Sequence, residues 1–276
     1  MKQFLCILMV ICTSIPLAGG CGDGGLKTGN GITQSPQISL EATSSNPVAT
    51  LSKSATRAID GTLIGYDQQG TKFVVESARA SVHEIEVELP GPLDCNDFDE
   101  NEVDDNEFVT VSCEADSVSI EGSMVADLVN RTLTPMVPEL PFPIASYTHG
   151  SVQFEPAENL PSMDPLSDIT FHATGRFDYD GSERTFEFAL DFSGESFFEN
   201  LTGVPFGDLG ETLRLQLDVA SWFAALPITT CLDDGDLTLT DNHLLIADGM
   251  GGCSDVENGL KSAIVGSGEL ESGEDD

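Results

Sequence analysis

The chain has 276 residues, with 47 acidic against 11 basic side chains and a formal net charge of −36. Such a balance repels nucleic acid and anionic membrane surfaces, so partners that demand a basic patch are excluded. Solubility, a salty habitat or dissolved divalent cations would each suit it.

Residues 1–20 read as a signal peptide. Lys2 precedes an apolar run from Phe4 to Val10 and beyond, and small residues follow before Cys21. The run is too short for a membrane-spanning helix. Leu17-Ala18-Gly19-Gly20-Cys21 resembles the bacterial lipobox, departing from it at Ala18, where Leu is usual. The resemblance implies a lipidated Cys21, with a diacylglycerol on the thiol and an acyl chain on the new amino terminus; ordinary cleavage at the Ala-Gly-Gly run is the alternative. At roughly 0.8 kcal/mol per buried CH2, several chains anchor durably where one would not. Gly22 in the next position, rather than Asp, points to the outer membrane of a bacterial envelope over the inner. The literal G-x-G-x-x-G at Gly20 to Gly25 has no strand before it and no helix after it, so it is not a dinucleotide site.

Cleavage before Cys21 removes Lys2 and keeps every acid, leaving a net charge of −37 and enough chain for one large domain or two small ones. Residues 21–48 are rich in Gly, Ser, Thr, Asn, Gln and Pro and read as a flexible tether. Residues 49–265 carry the folded signals, and a sub-domain boundary would fall near 156–166. Residues 266–276 read as an acidic disordered tail.

Within 49–265 the signals are of strands. Phe73 to Leu89 alternates, with a phase slip at His83 that suggests a bulge. Phe108 to Cys113, Ser117 to Ile120, Tyr147 to Phe154 and Leu213 to Val219 follow. The clearest is Ile169 to Tyr179, where Asp180-Gly181 turns the chain into Phe186, Phe188, Leu190 and Phe192. Leu237 to Leu239 and Leu244 to Ile246 add short strands. Met124 to Val129 and the residues around Trp222 read as a helical turn or two. Ser254-x-x-Glu257 resembles a capping box, with Val256, Leu260 and Ile264 on one face of a short C-terminal helix. Many short strands separated by turn residues predict an all-β, antiparallel β-sandwich of prealbumin or immunoglobulin type.

Seven cysteines, less Cys6 and Cys12 in the signal and Cys21 for lipid, leave Cys95, Cys113, Cys231 and Cys253. In an exported chain these read as two disulfides. Sequential pairing closes the shortest loops, each bridge adding about 3 kcal/mol in the chain-entropy model, but three connectivities are open. A structural zinc is the rival, without a CxxC or paired histidines to support it.

The loop DCNDFDENEVDDNE (94–107) holds eight acids in fourteen residues. Asp97-x-Asp99-x-Asn101 opens like an EF-hand, yet Glu102 stands where Gly is needed and Phe108 where the closing Glu belongs. A different Ca2+ site built from Asp97, Asp99, Asn101 and Asp105 is the candidate; a solvated hairpin tip is the plainer reading. Asp233-Asp234-Gly235-Asp236, with Asp255, is a second acidic loop that an Asp-Gly turn explains without metal. His83, His149, His172 and His243 are far apart; two of them converging on copper or zinc is an outside case. No G-x-S-x-G occurs, and no residue is nominated as catalytic. Trp222-Phe223 reads as a core plug, with sugar stacking as the alternative. Asn130 and Asn200 head glycosylation sequons that mean little in a bacterial chain.

SARASVHEIEVELPG (77–91), MVADLVN (124–130) and LPFPIASYTHGSVQFEP (140–156) resemble a family of uncharacterised bacterial lipoproteins, and LDVASWFAALPIT (217–229) resembles their second half. That resemblance implies a prealbumin-like sandwich and brings no catalytic or binding residues. The expectation is a lipid-anchored envelope protein acting as a binding or adhesion module, possible partners being a glycan or an envelope protein. A purely structural spacer, or a hydrolase with an unrecognised site, are the alternatives.

Overall fold

The computed structural model describes residues 36–44, 63–98, 103, 108–138, 140–207, 211–249 and 253–274. The signal segment, Cys21, Asp99, Asn101 and Asp105 lie outside them. Thirteen strands and three helices follow one another along the chain. They are β1 (Gln37–Thr43), β2 (Leu63–Tyr66), β3 (Lys72–Glu88), β4 (Thr110–Glu114), β5 (Ser117–Asp127), β6 (Thr132–Thr134), β7 (Ala145–Phe154), β8 (Phe171–Tyr179), β9 (Ser182–Leu190), β10 (Gly194–Phe206), β11 (Glu211–Asp218), α1 (Val219–Ala224), α2 (Ile228–Asp233), β12 (His243–Ala247), α3 (Ser254–Val265) and β13 (Gly268–Glu274). The fold is all-β, as expected. The strands join in one mixed sheet, ordered β1-β11-β13-β10-β7-β3-β8-β9-β12, with β2 and β5 also on β3, and β4 and β6 on β5.

The organising strand is β3, seventeen residues long. Its first part pairs with β2 and β8, and its second with β5 and β7. A strand of this length would drift off the core if its side chains simply alternated while the sheet twisted. Two bulges prevent this. Glu76 is skipped in the ladder with β8, and His83 in the ladder with β7. Phe73, Val75, Ala78, Ala80, Val82, Ile85 and Val87 therefore all face the core and are fully buried.

Aromatic rings fill that core. Phe73 stacks on Phe177 and Phe223 at 4.9 and 4.8 Å, and Phe171 meets Trp222 edge-on at 5.3 Å. Trp222 and Phe223 are both fully buried, so α1 plugs the core and offers no sugar a stacking surface. The Trp222 indole donates to Ser267 Oγ at 3.0 Å. A second cluster joins Phe98, Phe142, Tyr147 and Phe206. The hairpin β8–β9 turns at Asp180 (φ 52°) and Gly181 (φ 69°), the positive pair that a two-residue loop requires.

Several expectations are corrected. The region taken as tether contains β1, which runs parallel to β11 from Gln37 opposite Thr212 to Thr43 opposite Asp218. The region taken as a disordered tail contains β13, seated between β11 and β10. Its one apolar side chain, Leu270, is buried; the ladders on either side supply what its composition lacks. Met124 to Val129 is not helical: β5 runs on to Asp127 against β3 and β6. Leu237 to Leu239 forms no strand, and the sheet is not purely antiparallel, since β1–β11 and β9–β12 are parallel. Helix α3 begins at Ser254, but Glu257 accepts from Gly249 N at 3.0 Å instead of closing a capping box. Thr33–Asp276 form one compact unit, so 156–166 is a connection within it and not a boundary.

Buried polar groups tie the ends together. Leu128 N donates to Ala78 O and Ala42 N donates to Leu128 O, each at 2.9 Å, linking β1 back to β3. Beside that link Glu41, fully buried, takes Gln216 Nε2 at 2.7 Å and pairs with Arg131. Removing one partner of such a pair strands a charge in the interior. Arg131→Ala is expected to lower unfolding free energy by about 3 kcal/mol in urea titrations; a loss below about 0.5 kcal/mol would show that the pair does not close the fold.

Candidate functional site

Five adjacent strands, β10, β7, β3, β5 and β4, present an outer face opposite the core. Their registers align three rows of side chains. The first row is Glu195, Gln153, Glu84, Glu121 and Thr110. The second is Phe197, Ser151, Glu86, Ser119 and Ser112. The third is Glu199, His149, Glu88, Ser117 and Glu114. On the opposite side Phe198, Val152, Ile85, Val87, Ile120 and Val118 are all fully buried. The alternation that builds the core thus fixes the composition of this face.

The face is polar throughout, with one exception. Phe197 stands 63% exposed at its β10 edge. None of the fifteen positions is Lys or Arg, and seven are Glu. Glu84 lies directly opposite Glu121, and Glu199 opposite Glu269 of β13. Like charges in such positions cost stability. His149 Nδ1 lies 3.4 Å from Glu88 Oε2 and 2.8 Å from Thr148 Oγ1.

The residues nominated from sequence lie elsewhere. Cys95–Cys113 and Cys231–Cys253 are bonded in the sequential pairing. The first bridge clips the acidic loop, and buried Phe98 pins it against Phe142 at 5.6 Å. Asp94 Oδ1 accepts from Asn96 N at 2.8 Å, which holds its pKa below the usual value. Asp97 is exposed and its Oδ2 accepts from Asp94 N at 3.2 Å; Asp99, Asn101 and Asp105 lie outside the described residues. In the second acidic loop, Tyr179 OH donates to Asp233 Oδ1 at 2.9 Å, and Gly235 turns the chain at φ 79°. Among the described residues no group of three His, Cys, Asp or Glu side chains is placed to hold a metal ion.

Two histidines do share a partner. His172 Nε2 is 3.0 Å from Glu187 Oε1, and His243 Nε2 is 3.4 Å from Glu187 Oε2. They approach opposite oxygens of one carboxylate instead of a common point, so they do not form the copper or zinc pair. Thr185 Oγ1 meets His243 Nδ1 at 2.9 Å, and the set fastens edge strand β12 to β9.

Titration enters at two other ion pairs. Two guanidinium hydrogen bonds from Arg79, at 2.8 and 3.1 Å, lower the Asp164 pKa. Asp248 is also lowered: its burial acts upward, and the Lys261 hydrogen bond and Asp191 N outweigh it. A lowered carboxylate adds stability that is complete above its unfolded pKa and lost as pH falls through the folded value. Unfolding free energy is therefore expected to hold at neutral pH and fall below about pH 4, with a shallower acid slope in Asp164→Asn. Equal slopes in wild type and variant, measured by urea unfolding across pH, would remove Asp164 from the account.

No family model, curated protein or solved structure matches this chain.

Proposed function

We propose that the protein is an exported, lipid-anchored component of a bacterial envelope, outer membrane over inner, and a non-enzymatic binding or adhesion module. Its partner docks on the outer face of β10, β7, β3, β5 and β4. The observation that carries this reading is the polar outer face of fifteen aligned positions, seven of them Glu, with exposed Phe197 on β10. The domain is read as a divergent prealbumin-like sandwich, its sheet folded over the aromatic core.

Export is supported by the two disulfides, which persist in oxidising compartments. They also leave Cys21 as the one cysteine beyond the signal segment without a disulfide role. Ca2+ held by Asp97, Asp99, Asn101 and Asp105 would order the loop that leads into β4 and so assist docking. Asp97 keeps one carboxylate oxygen outside its turn hydrogen bond for that purpose.

Mass spectrometry of the amino-terminal peptide from membrane-extracted protein should give Cys21 carrying three acyl chains, and Cys21→Ser should abolish membrane retention; an unmodified Cys21 overturns the anchor. For the face, the mature chain carrying Cys21→Ser is expected to be retained on lipid-stripped envelope. Glu86→Lys with Glu88→Lys should remove that retention while the fold persists. Retention that survives this double reversal would place binding elsewhere. Calorimetric titration with Ca2+, Mg2+ serving as control, should show selective binding that weakens in Asp97→Asn; equal weak heats from both ions would leave the loop a solvated tip.

A further inference from the structure

We infer that β1 is the load-bearing clasp of the anchored protein. A pull between the bilayer and a held partner enters at Gln37, and the β1–β11 ladder and buried Glu41 resist it in shear. The inference rests on the lipid anchor at Cys21 proposed above and gives the first strand a mechanical role.

The chain that leads from Cys21 joins the described fold at β1. This strand ends the strand order and runs parallel to β11, with all seven of its residues in register. Ladder hydrogen bonds lie across the strand axis. A pull along β1 therefore strains them together, whereas a crosswise pull opens them one after another from Gln37. On the other side of β1, Ala42 N donates to Leu128 O at 2.9 Å.

Side chains oppose the slide as well. Leu40, Glu41 and Ala42 are all buried, so the far half of β1 is covered on both faces. Leu40 and Ala42 belong to the hydrophobic core. Glu41 between them points the other way, to Gln216 directly opposite and to Arg131. Slipping by one residue exchanges the two faces. It would carry the Glu41 carboxylate to the apolar side and strip it of both partners, which burial penalises heavily. A slip of two residues keeps the faces but puts Thr43 where Glu41 stood, taking the carboxylate away from Arg131 and Gln216.

Single-molecule force spectroscopy of the mature chain carrying Cys21→Ser tests this, with one handle on its amino terminus and the other on an introduced thiol. Exposed Ser193 lies between β9 and β10, at the end of the sheet away from Gln37, so a Ser193→Cys handle loads β1 along its axis. Exposed Ser146 lies across the sheet near the level of Gln37, so a Ser146→Cys handle loads β1 crosswise. Rupture is expected at higher force along the axis than across it. Along the axis, Arg131→Ala should shorten the lifetime at constant force about tenfold. Equal forces in the two directions overturn the inference, and so does a wild-type lifetime in Arg131→Ala. Equal forces with an acylated Cys21 remove the clasp and leave the anchor reading standing. An unmodified Cys21 removes the load, and the inference with it, whatever the forces.

Discussion

Everything in this fold depends on keeping one long strand facing one way. β3 touches β2, β5, β7 and β8, so any slip in its alternation would turn half of the core outward. The bulges at Glu76 and His83 absorb the slip. They let seventeen residues serve two differently oriented parts of the sheet with one buried side. The same device decides the outside. Glu84, Glu86 and Glu88 fall on the solvent face because Ile85 and Val87 are held in the core. The composition of the outer face is thus set by core packing.

A chain this acidic is held together by few cations used carefully. Arg131 meets buried Glu41, Arg79 meets Asp164, and Lys261 joins Asp248 to Glu257. The first two tie a connection or a terminal strand to the sheet, and Lys261 ties α3 to the turn after β12. The disulfides act alike, clipping the acidic loop and the segment that carries β12. None of the fifteen aligned positions on the outer face of β10, β7, β3, β5 and β4 is Lys or Arg.

The central hairpin, β3 with its His83 bulge, β7, β11 and α3 were legible because apolar residues recur with a clean period. Of the three pairings the sequence left open, the bonds take the sequential one that closes the shortest loops. The bulge at Glu76 was hidden, since Ser77 and Ala78 are small enough to suit either face. β13 was unreadable because Leu270 is its single apolar residue, and a ladder on each side does the rest. β10 was missed for another reason. Adjacent Phe197 and Phe198 give no period, and Asn200 and Gly203 mark a register shift that reads as a loop. The candidate site was therefore invisible in sequence: it exists only once five strands, distant along the chain, come into register.

The most direct test of this account is the deletion of His83, compared with His83→Ala. Removing the bulge residue shifts the phase of everything after it in β3, whereas trimming its exposed side chain does not. Near-UV circular dichroism and urea unfolding should show His83→Ala within about 0.5 kcal/mol of wild type. The deletion should lose native tertiary signal and cooperative unfolding. A deletion that keeps both would contradict the claim that the bulges hold β3, and the docking face with it, in place.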